Sequence, residues 1–181
     1  MTSATRLSQA ISEGGGISLI VEVDGADSAR AAEGGGANAV LVRSREESLR
    51  PIAAATSLPV VFFFDGERAE AVQGADAYVV HGGTGWLEQV HAELAHSAEL
   101  AILIDDEEQL EEVLERLDPA ILLLTPGRGD DRLPHVLGLL SDVPAGKLAI
   151  ADLPGATPAE IHELERAGCD AVVVGAADVH R

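Results

Sequence analysis

The chain has 181 residues, of which 31 are acidic and 12 are basic, so its formal net charge is −19. This charge excludes non-specific binding to nucleic acid or to an anionic membrane, and the single cysteine excludes an internal disulfide and a cysteine-based zinc site. Residues 1–16 contain no apolar block, and no apolar run approaches the roughly 20 residues of a membrane span. The sequence therefore predicts a soluble cytoplasmic protein without a secretory signal.

Eight short β-branched runs alternate along the chain with segments rich in Ala, Glu and Leu. The runs are apolar throughout, which is typical of strands buried on both faces of a parallel sheet. They cover residues 17–24, 37–44, 58–65, 75–81, 100–105, 120–125, 147–152 and 169–175. Among the intervening segments, residues 110–117 carry the clearest helical stripe. Thr157, Pro158 and Glu160 together predict a capped helix start.

Eight strand–helix units predict an α/β protein, a compact single-domain (β/α)₈ TIM barrel over residues 1–181, with a doubly wound open sheet as the alternative. At about 23 residues per unit, the loops must be short. Only six residues follow Gly175, so the last helix is expected to be missing or rudimentary and to leave apolar surface exposed. In the N-terminal extension, residues 1–16, Leu7 and Ile11 predict a short helix over that gap or over the barrel floor. A homodimer interface is the other candidate cover, and both a monomer and a homodimer remain open.

A repeated motif favours the barrel. Gly-Ala-Asn-Ala-Val-Leu-Val at residues 36–42 recurs in similar form at 74–80 and 168–174, with a looser copy at 118–124. The odd-numbered runs share a different feature, a terminal aspartate: Asp24, Asp65, Asp105 and Asp152. The repeating unit is then a pair of strand–helix modules, present four times. Convergence of parallel strand–helix units on one pattern is the alternative explanation.

Barrel enzymes place their active sites at the C-terminal ends of the strands. At these ends the candidate catalytic groups are the carboxylates Glu22, Asp24 and Asp152, with His81 as a partner. Other residues expected at this mouth are Arg43, Phe63 and Arg128, the last in the long loop 125–131. No lysine is available there, because the only one, Lys147, lies at the start of the seventh run, on the opposite face.

Two features of the mouth have competing interpretations. The four terminal aspartates could form a ring that binds Mg²⁺ or Ca²⁺, although helix capping is favoured, with Asp65 and the pair Asp105–Asp106 as caps. The glycine-rich residues 81–85 could hold an anion beside a titratable imidazole, although a tight turn into the next helix is favoured. The histidines at 91, 96, 135 and 162 lie in helical segments and are expected to face solvent.

Four stretches of the chain resemble indole-3-glycerol-phosphate synthase, one of the ribulose-phosphate-binding barrels. They are Ile-Val-Glu-Val-Asp at 20–24, the helix and Gly-Gly-Ala turn within 28–42, Ser-Leu-Pro-Val at 57–60, and residues 157–175 with their Gly-Cys-Asp-Ala-Val ending. The resemblance implies a phosphate site after strands 7 and 8, at Gly155, Gly175 and Ala176. It also implies a catalytic role for Glu22, and for Asp152 in place of a glutamate.

The lysines and one glutamate of the synthase are absent. Asp24 and Phe63 stand where that family has lysines, and Leu103 stands where it has a glutamate. We therefore expect a diverged barrel without synthase activity and without a cofactor or bound metal, which binds a phosphorylated small molecule at its C-terminal face. The alternatives are a non-catalytic interaction module or remnant, and a metal-assisted lyase or hydrolase that uses the mouth aspartates.

Overall fold

The eight apolar runs form eight parallel strands that close into a barrel in the order β1 to β8. The computed structural model describes residues 5–64, 71–83, 85, 87–129 and 131–179. Each strand pairs with its sequence neighbours, and β8 closes the ring by pairing with β1 through residues such as Ile20 and Val173. The predicted (β/α)₈ barrel is therefore confirmed, and the open-sheet alternative is wrong. No helix in the described ranges is long and apolar enough to cross a membrane.

The strands are joined by short helices. The strands are β1 Ser18–Glu22, β2 Ala39–Val42, β3 Val60–Phe63, β4 Ala77–His81, β5 Glu99–Ile104, β6 Ile121–Leu124, β7 Leu148–Asp152 and β8 Ala171–Gly175. The helices are α1 Arg6–Ser12, α2 Ala26–Gly34, α3 Leu49–Ala55, α4 Leu87–Leu94, α5 Glu107–Arg116, α6 Arg132–Asp142 and α7 Pro158–Arg166. Thr157 and Glu160 form the predicted capping box at the start of α7.

Alternate residues of each strand point into the barrel and fill it. The inward set is Ile20, Ala39, Leu41, Val61, Ala77, Val79, Ala101, Leu103, Ile121, Leu123, Ile150, Ala171 and Val173, all buried. The remaining strand residues pack outward against the helices. The interior retains a cavity of only about 10 Å³, at the limit for a single water molecule. A ligand must therefore bind at an end of the barrel or on its outer surface.

The repeated motif has a structural cause that its sequence did not disclose. In the three closer copies, the third residue forms two hydrogen bonds with one residue of the preceding odd-numbered strand. We call this pair of bonds a clamp: the side chain of the motif residue accepts from the backbone N–H of its partner, and the backbone N–H of the motif residue donates to the partner's carbonyl. The three clamps join Asn38 to Leu19, Asp76 to Val60, and Asp170 to Ala149. The first residues of the four copies, Gly36, Gly74, Asp118 and Gly168, all have positive φ.

Removing one clamp is expected to destabilise the barrel. Ala149 is 2% exposed, so Asp170→Ala leaves its N–H buried without an acceptor and should lower the free energy of unfolding by about 1–3 kcal/mol. Asp170→Asn keeps an acceptor, as Asn38 shows in another copy, and should cost less than about 0.5 kcal/mol. Urea denaturation followed by circular dichroism measures both. Equal losses for the two variants would contradict the clamp.

The N-terminal helix closes the floor of the barrel. Leu7 and Ile11 of α1 are 0% and 3% exposed and belong to the interior cluster of side chains. Glu99, at the start of β5, accepts hydrogen bonds from the N–H groups of Leu7 and Ser8, and Arg6 forms an ion pair of 2.8 Å with Asp76. Of the two positions predicted for this helix, the gap left by the last helix and the barrel floor, it occupies the floor.

Two segments differ from those of a regular barrel, the one after β8 and the connection between β3 and β4. Within the described residues, which end at Val179, β8 is followed by a 3₁₀ turn, Ala176–Asp178, and not by an α-helix. The expectation that apolar surface is exposed here is wrong for the outward residues of β8, because Val172 and Val174 are 0% and 2% exposed. On this side Glu165 of α7 reaches across β8 to accept from Ile17 N–H. Between β3 and β4, residues 71–76 form no helix, and residues 65–70 lie outside the described ranges.

Candidate functional site

The alternation that fills the barrel also selects the side chains of its mouth. The next inward position beyond Ile20 is Glu22, beyond Leu41 it is Arg43, and beyond Val61 it is Phe63. By the same period of two, His81, Asp152 and Gly175 follow the inward residues of β4, β7 and β8. The structure thus places most of the predicted mouth residues at one end of the barrel.

Arg43 links three elements across this mouth. Its Nη2 donates to Asp152 Oδ1 over 2.6 Å, and its Nε donates to Glu22 Oε2 over 3.2 Å. Its guanidinium carbon lies 5.1 Å from the centre of the Phe63 ring, in a cation–π contact. Phe63 in turn packs against the interior cluster. Phe63 therefore lies beside Arg43, and the two catalytic candidates Glu22 and Asp152 share one cation.

The electrostatic balance at Arg43 favours its charged form. Burial alone would lower the pKa of Arg43, but attraction and hydrogen bonds from Asp152 and Glu22 outweigh it, so the pKa is raised above its ordinary value. The Asp152 side chain is 10% exposed, and a carboxylate so buried needs a partner. The predicted roles of Glu22 and Asp152 as acid or base remain predictions. In this geometry both carboxylates accept hydrogen bonds from Arg43.

The loops after β7 and β8 meet at a single carboxylate. The backbone N–H groups of Gly155 and Gly175 both donate to Asp178 Oδ2, each over 2.9 Å. A β-carbon at Gly175 would lie 3.1 Å from this oxygen, so a glycine there permits the close approach. The structure therefore brings together two of the predicted phosphate-binding residues. The anion between them is Asp178.

A cleft of about 380 Å³ adjoins Gly175. It is lined by Glu22, Val23, Asp24, Arg43, Ser44, Gly175 and Ala176. The third phosphate-binding candidate, Ala176, thus borders the cleft beside Gly175. Within the described part of the chain, the Ser44 hydroxyl is a buried side-chain group without a hydrogen-bond partner. Such a group is costly unless a partner is supplied. Ser44 was not among the predicted site residues, because a serine that directly follows a strand belongs to no motif.

His81 has both ring nitrogens engaged. Gly83 N–H donates to Nδ1 over 3.0 Å, and Nε2 lies 2.7 Å from Asp105 Oδ2. Since Nδ1 accepts, the proton of the neutral ring is on Nε2, which donates to Asp105. The Gly82 N–H also donates a hydrogen bond, to Leu103 O. This supports the turn interpretation of residues 81–85, of which Thr84 lies outside the described residues.

The terminal aspartates have separate partners. Asp24 is exposed and accepts from the Ser28 hydroxyl, whereas Asp105 faces His81 and Asp152 faces Arg43. Asp106 caps α5 by accepting from Gln109 N–H, so capping at that pair is confirmed. Asp65 lies outside the described residues. Among the residues described, no three His, Cys, Asp or Glu side chains are grouped so that they could hold a metal ion.

Other candidates lie away from this chemistry. Lys147 donates to Asp118 and to Pro119 O, just before β7 and therefore at the floor end, as predicted. Burial raises the pKa of Cys169 to about 11, so this thiol is no nucleophile near neutral pH. Arg128 is exposed in the loop after β6. The expectation that His135 faces solvent is wrong, because its Nε2 lies 2.7 Å from Asp105 O.

The fold and its mouth define this chain as a small (β/α)₈ barrel whose loops after β7 and β8 are joined through Asp178. No protein-family model matches it, and no curated protein matches it in sequence. Among solved structures, it is similar to thiamine phosphate pyrophosphorylase from Pyrococcus furiosus, with a TM-score of 0.71 and 18% identity over 91% of this chain and 88% of that one. It is also similar to N-acetylmannosamine-6-phosphate 2-epimerase from Clostridium perfringens, with a TM-score of 0.70 and 17% identity over 89% and 87%. At this identity the likeness establishes the fold.

Proposed function

We propose that this protein binds a small phosphorylated molecule at the C-terminal face of its barrel and does not catalyse the indole-3-glycerol-phosphate synthase reaction. The observation that carries the proposal is the convergence of the Gly155 and Gly175 N–H groups on one anionic oxygen. Backbone N–H groups from the loops after strands 7 and 8 form a common phosphate site in barrels of this kind. The convergence of these two loops in this chain supports a phosphate site at the same place.

The cleft beside Gly175 gives the rest of the ligand a place to bind. Ser44 lines this cleft, and its hydroxyl is buried and lacks a partner among the described residues. Rotation of the side chain would bring this hydroxyl to the cleft, where a ligand hydroxyl or carbonyl would satisfy it. Glu22 and Asp24 are acceptors for ligand hydroxyl groups, and the Arg43 guanidinium, which is held by Glu22 and Asp152, also lines the cleft. These groups favour a polar, hydroxyl-bearing phosphate ester such as a sugar phosphate. The two structural neighbours named above also carry phosphorylated compounds in their names.

The absence of synthase activity follows from the groups at the mouth. The only lysine of the chain is at the floor end, so no lysine can act as a general acid or form a Schiff base there. Arg43 does not replace it, since a guanidinium stays protonated. Both ring nitrogens of His81 are also engaged. The same contacts support the alternative of a barrel that binds a ligand without converting it.

Calorimetric titration tests the binding. Ribose 5-phosphate is expected to bind with a dissociation constant of about 1 mM or tighter, and ribose to give no saturable heat. Ser44→Ala should weaken the sugar phosphate about three- to tenfold, through loss of one hydrogen bond, and leave inorganic phosphate unchanged. Ser141→Ala is the matched control, because that serine is exposed on α6 and bonds only its own helix at Gly138 O.

Two results would contradict the proposal. Equal heats from ribose and ribose 5-phosphate would mean that the phosphoryl group is not recognised. Release of indole-3-glycerol phosphate from the carboxyphenylamino-deoxyribulose phosphate substrate would mean that the synthase reaction proceeds without a lysine at the mouth.

A further inference from the structure

We propose that Asp178 is a built-in substitute for the ligand's phosphoryl group, and that a phosphate must displace its carboxylate in order to bind. This inference rests on the proposed function and adds a residue that sets the affinity of the site. In the structure Asp178 Oδ2 accepts from both Gly155 N–H and Gly175 N–H, each over 2.9 Å. A carboxylate oxygen with two amide donors has the contacts that a phosphate oxygen would make there.

Local capping explains only half of this arrangement. A carboxylate three residues after Gly175 is well placed to accept from the Gly175 N–H, as in many turns. The second donor, Gly155, is 23 residues away in the chain and belongs to the loop after β7. A capping aspartate has no need of a donor from another loop. The convergence of two loops on one oxygen is instead the arrangement expected of an anion site that already contains an anion.

The position of Asp178 allows it to leave. It belongs to the three-residue 3₁₀ turn Ala176–Asp178 and not to a strand or an α-helix. Rotation about its side-chain bonds is enough to clear both N–H groups, while β7 and β8 keep their pairing. While the carboxylate remains, it blocks the donors and repels a dianion. Once it has turned away, both N–H groups are free to donate to a phosphate, and Gly175 borders the cleft that Ser44 lines.

Removal of the carboxylate should therefore strengthen phosphate binding. The probe is inorganic phosphate, and the readout is the movement of the Gly155 and Gly175 amide resonances in the full-length protein. Asp178→Asn keeps the shape of the side chain without its charge, and Asp178→Ala frees both donors. Each is expected to bind phosphate at least tenfold more tightly than the wild type. Before phosphate is added, both amide resonances should already differ between Asp178→Ala and the wild type.

Asp142→Asn is the matched control. Asp142 is exposed at the end of α6, so this variant removes one negative charge far from the mouth and should bind phosphate as the wild type does. An equal gain in Asp142→Asn and Asp178→Asn would mean that net charge alone is responsible, and would overturn the inference.

The other outcomes separate this inference from the proposed function. If the wild type and both Asp178 variants bind phosphate equally, the displacement is wrong, while the phosphate site itself stands. If none of these folded proteins binds phosphate, both the displacement and the phosphate site are wrong. If the Gly155 and Gly175 amide resonances have the same chemical shifts in Asp178→Ala and in the wild type before phosphate is added, the carboxylate does not occupy the site in solution.

Discussion

Replacing Arg43 with methionine is expected to lower the free energy of unfolding by about 2–4 kcal/mol. The change leaves the Asp152 carboxylate, whose side chain is 10% exposed, without its partner at 2.6 Å. It also removes the contact with the Phe63 ring. Neutralising both partners, in Arg43→Met with Asp152→Asn, should recover at least half of the loss, because no unpaired charge then remains buried.

Arg30→Met provides the control for this effect. Arg30 also forms an ion pair, over 2.8 Å with Asp27, but both side chains are well exposed. Its loss should change stability by less than about 0.5 kcal/mol. Urea denaturation of the four proteins gives the comparison. If Arg43→Met is no more destabilising than Arg30→Met, the arginine does not organise the mouth as the structure indicates.

Truncating Leu7 to alanine is expected to cost about 2–4 kcal/mol of stability. Leu7 is fully buried and belongs to the interior cluster of the barrel, although it lies in the short N-terminal helix. The change opens a cavity in the floor, where the helix is held by Glu99 and by the ion pair of Arg6 with Asp76. Thermal or urea unfolding measures the loss.

Ser12→Ala, on the exposed side of the same helix, is the control for effects on helix formation. It should lie within about 0.5 kcal/mol of the wild type. Matching stabilities of Leu7→Ala and the wild type would show that the helix does not seal the barrel in solution.

The fold could be predicted because its signals are local and repeated. Each strand is a short apolar run followed by turn residues, and eight such runs in a chain of 181 residues leave few architectures. The placement of α1 could not be decided, since Leu7 and Ile11 make an apolar stripe that fits the gap or the floor equally well. The clamp residues Asn38, Asp76 and Asp170 were visible as a repeat, but their partners lie in other strands.

The sequence predicted which residues lie at the candidate site better than it predicted the hydrogen bonds between them. Strand ends and the period of two place Glu22, Arg43 and Asp152 at the mouth, yet nothing in the sequence pairs an arginine of one strand with carboxylates of two others. Asp178 was not among the predicted phosphate-binding residues, because its negative charge repels a phosphate. Its three-residue spacing from Gly175 was the available signal for a carboxylate bonded at that turn. The donor from Gly155 depends on how two loops meet and has no local signature.

The location of a bound sugar phosphate tests the central claim most directly. In a titration of the wild-type protein with ribose 5-phosphate, followed by amide resonances, we expect saturable movement at Ser44, Gly155 and Gly175. The natural rival is a cleft of about 450 Å³ at the floor, lined in part by Ser8 and His91. Movement confined to that floor cleft, or no movement anywhere in the folded protein, would contradict a phosphate site at the C-terminal face.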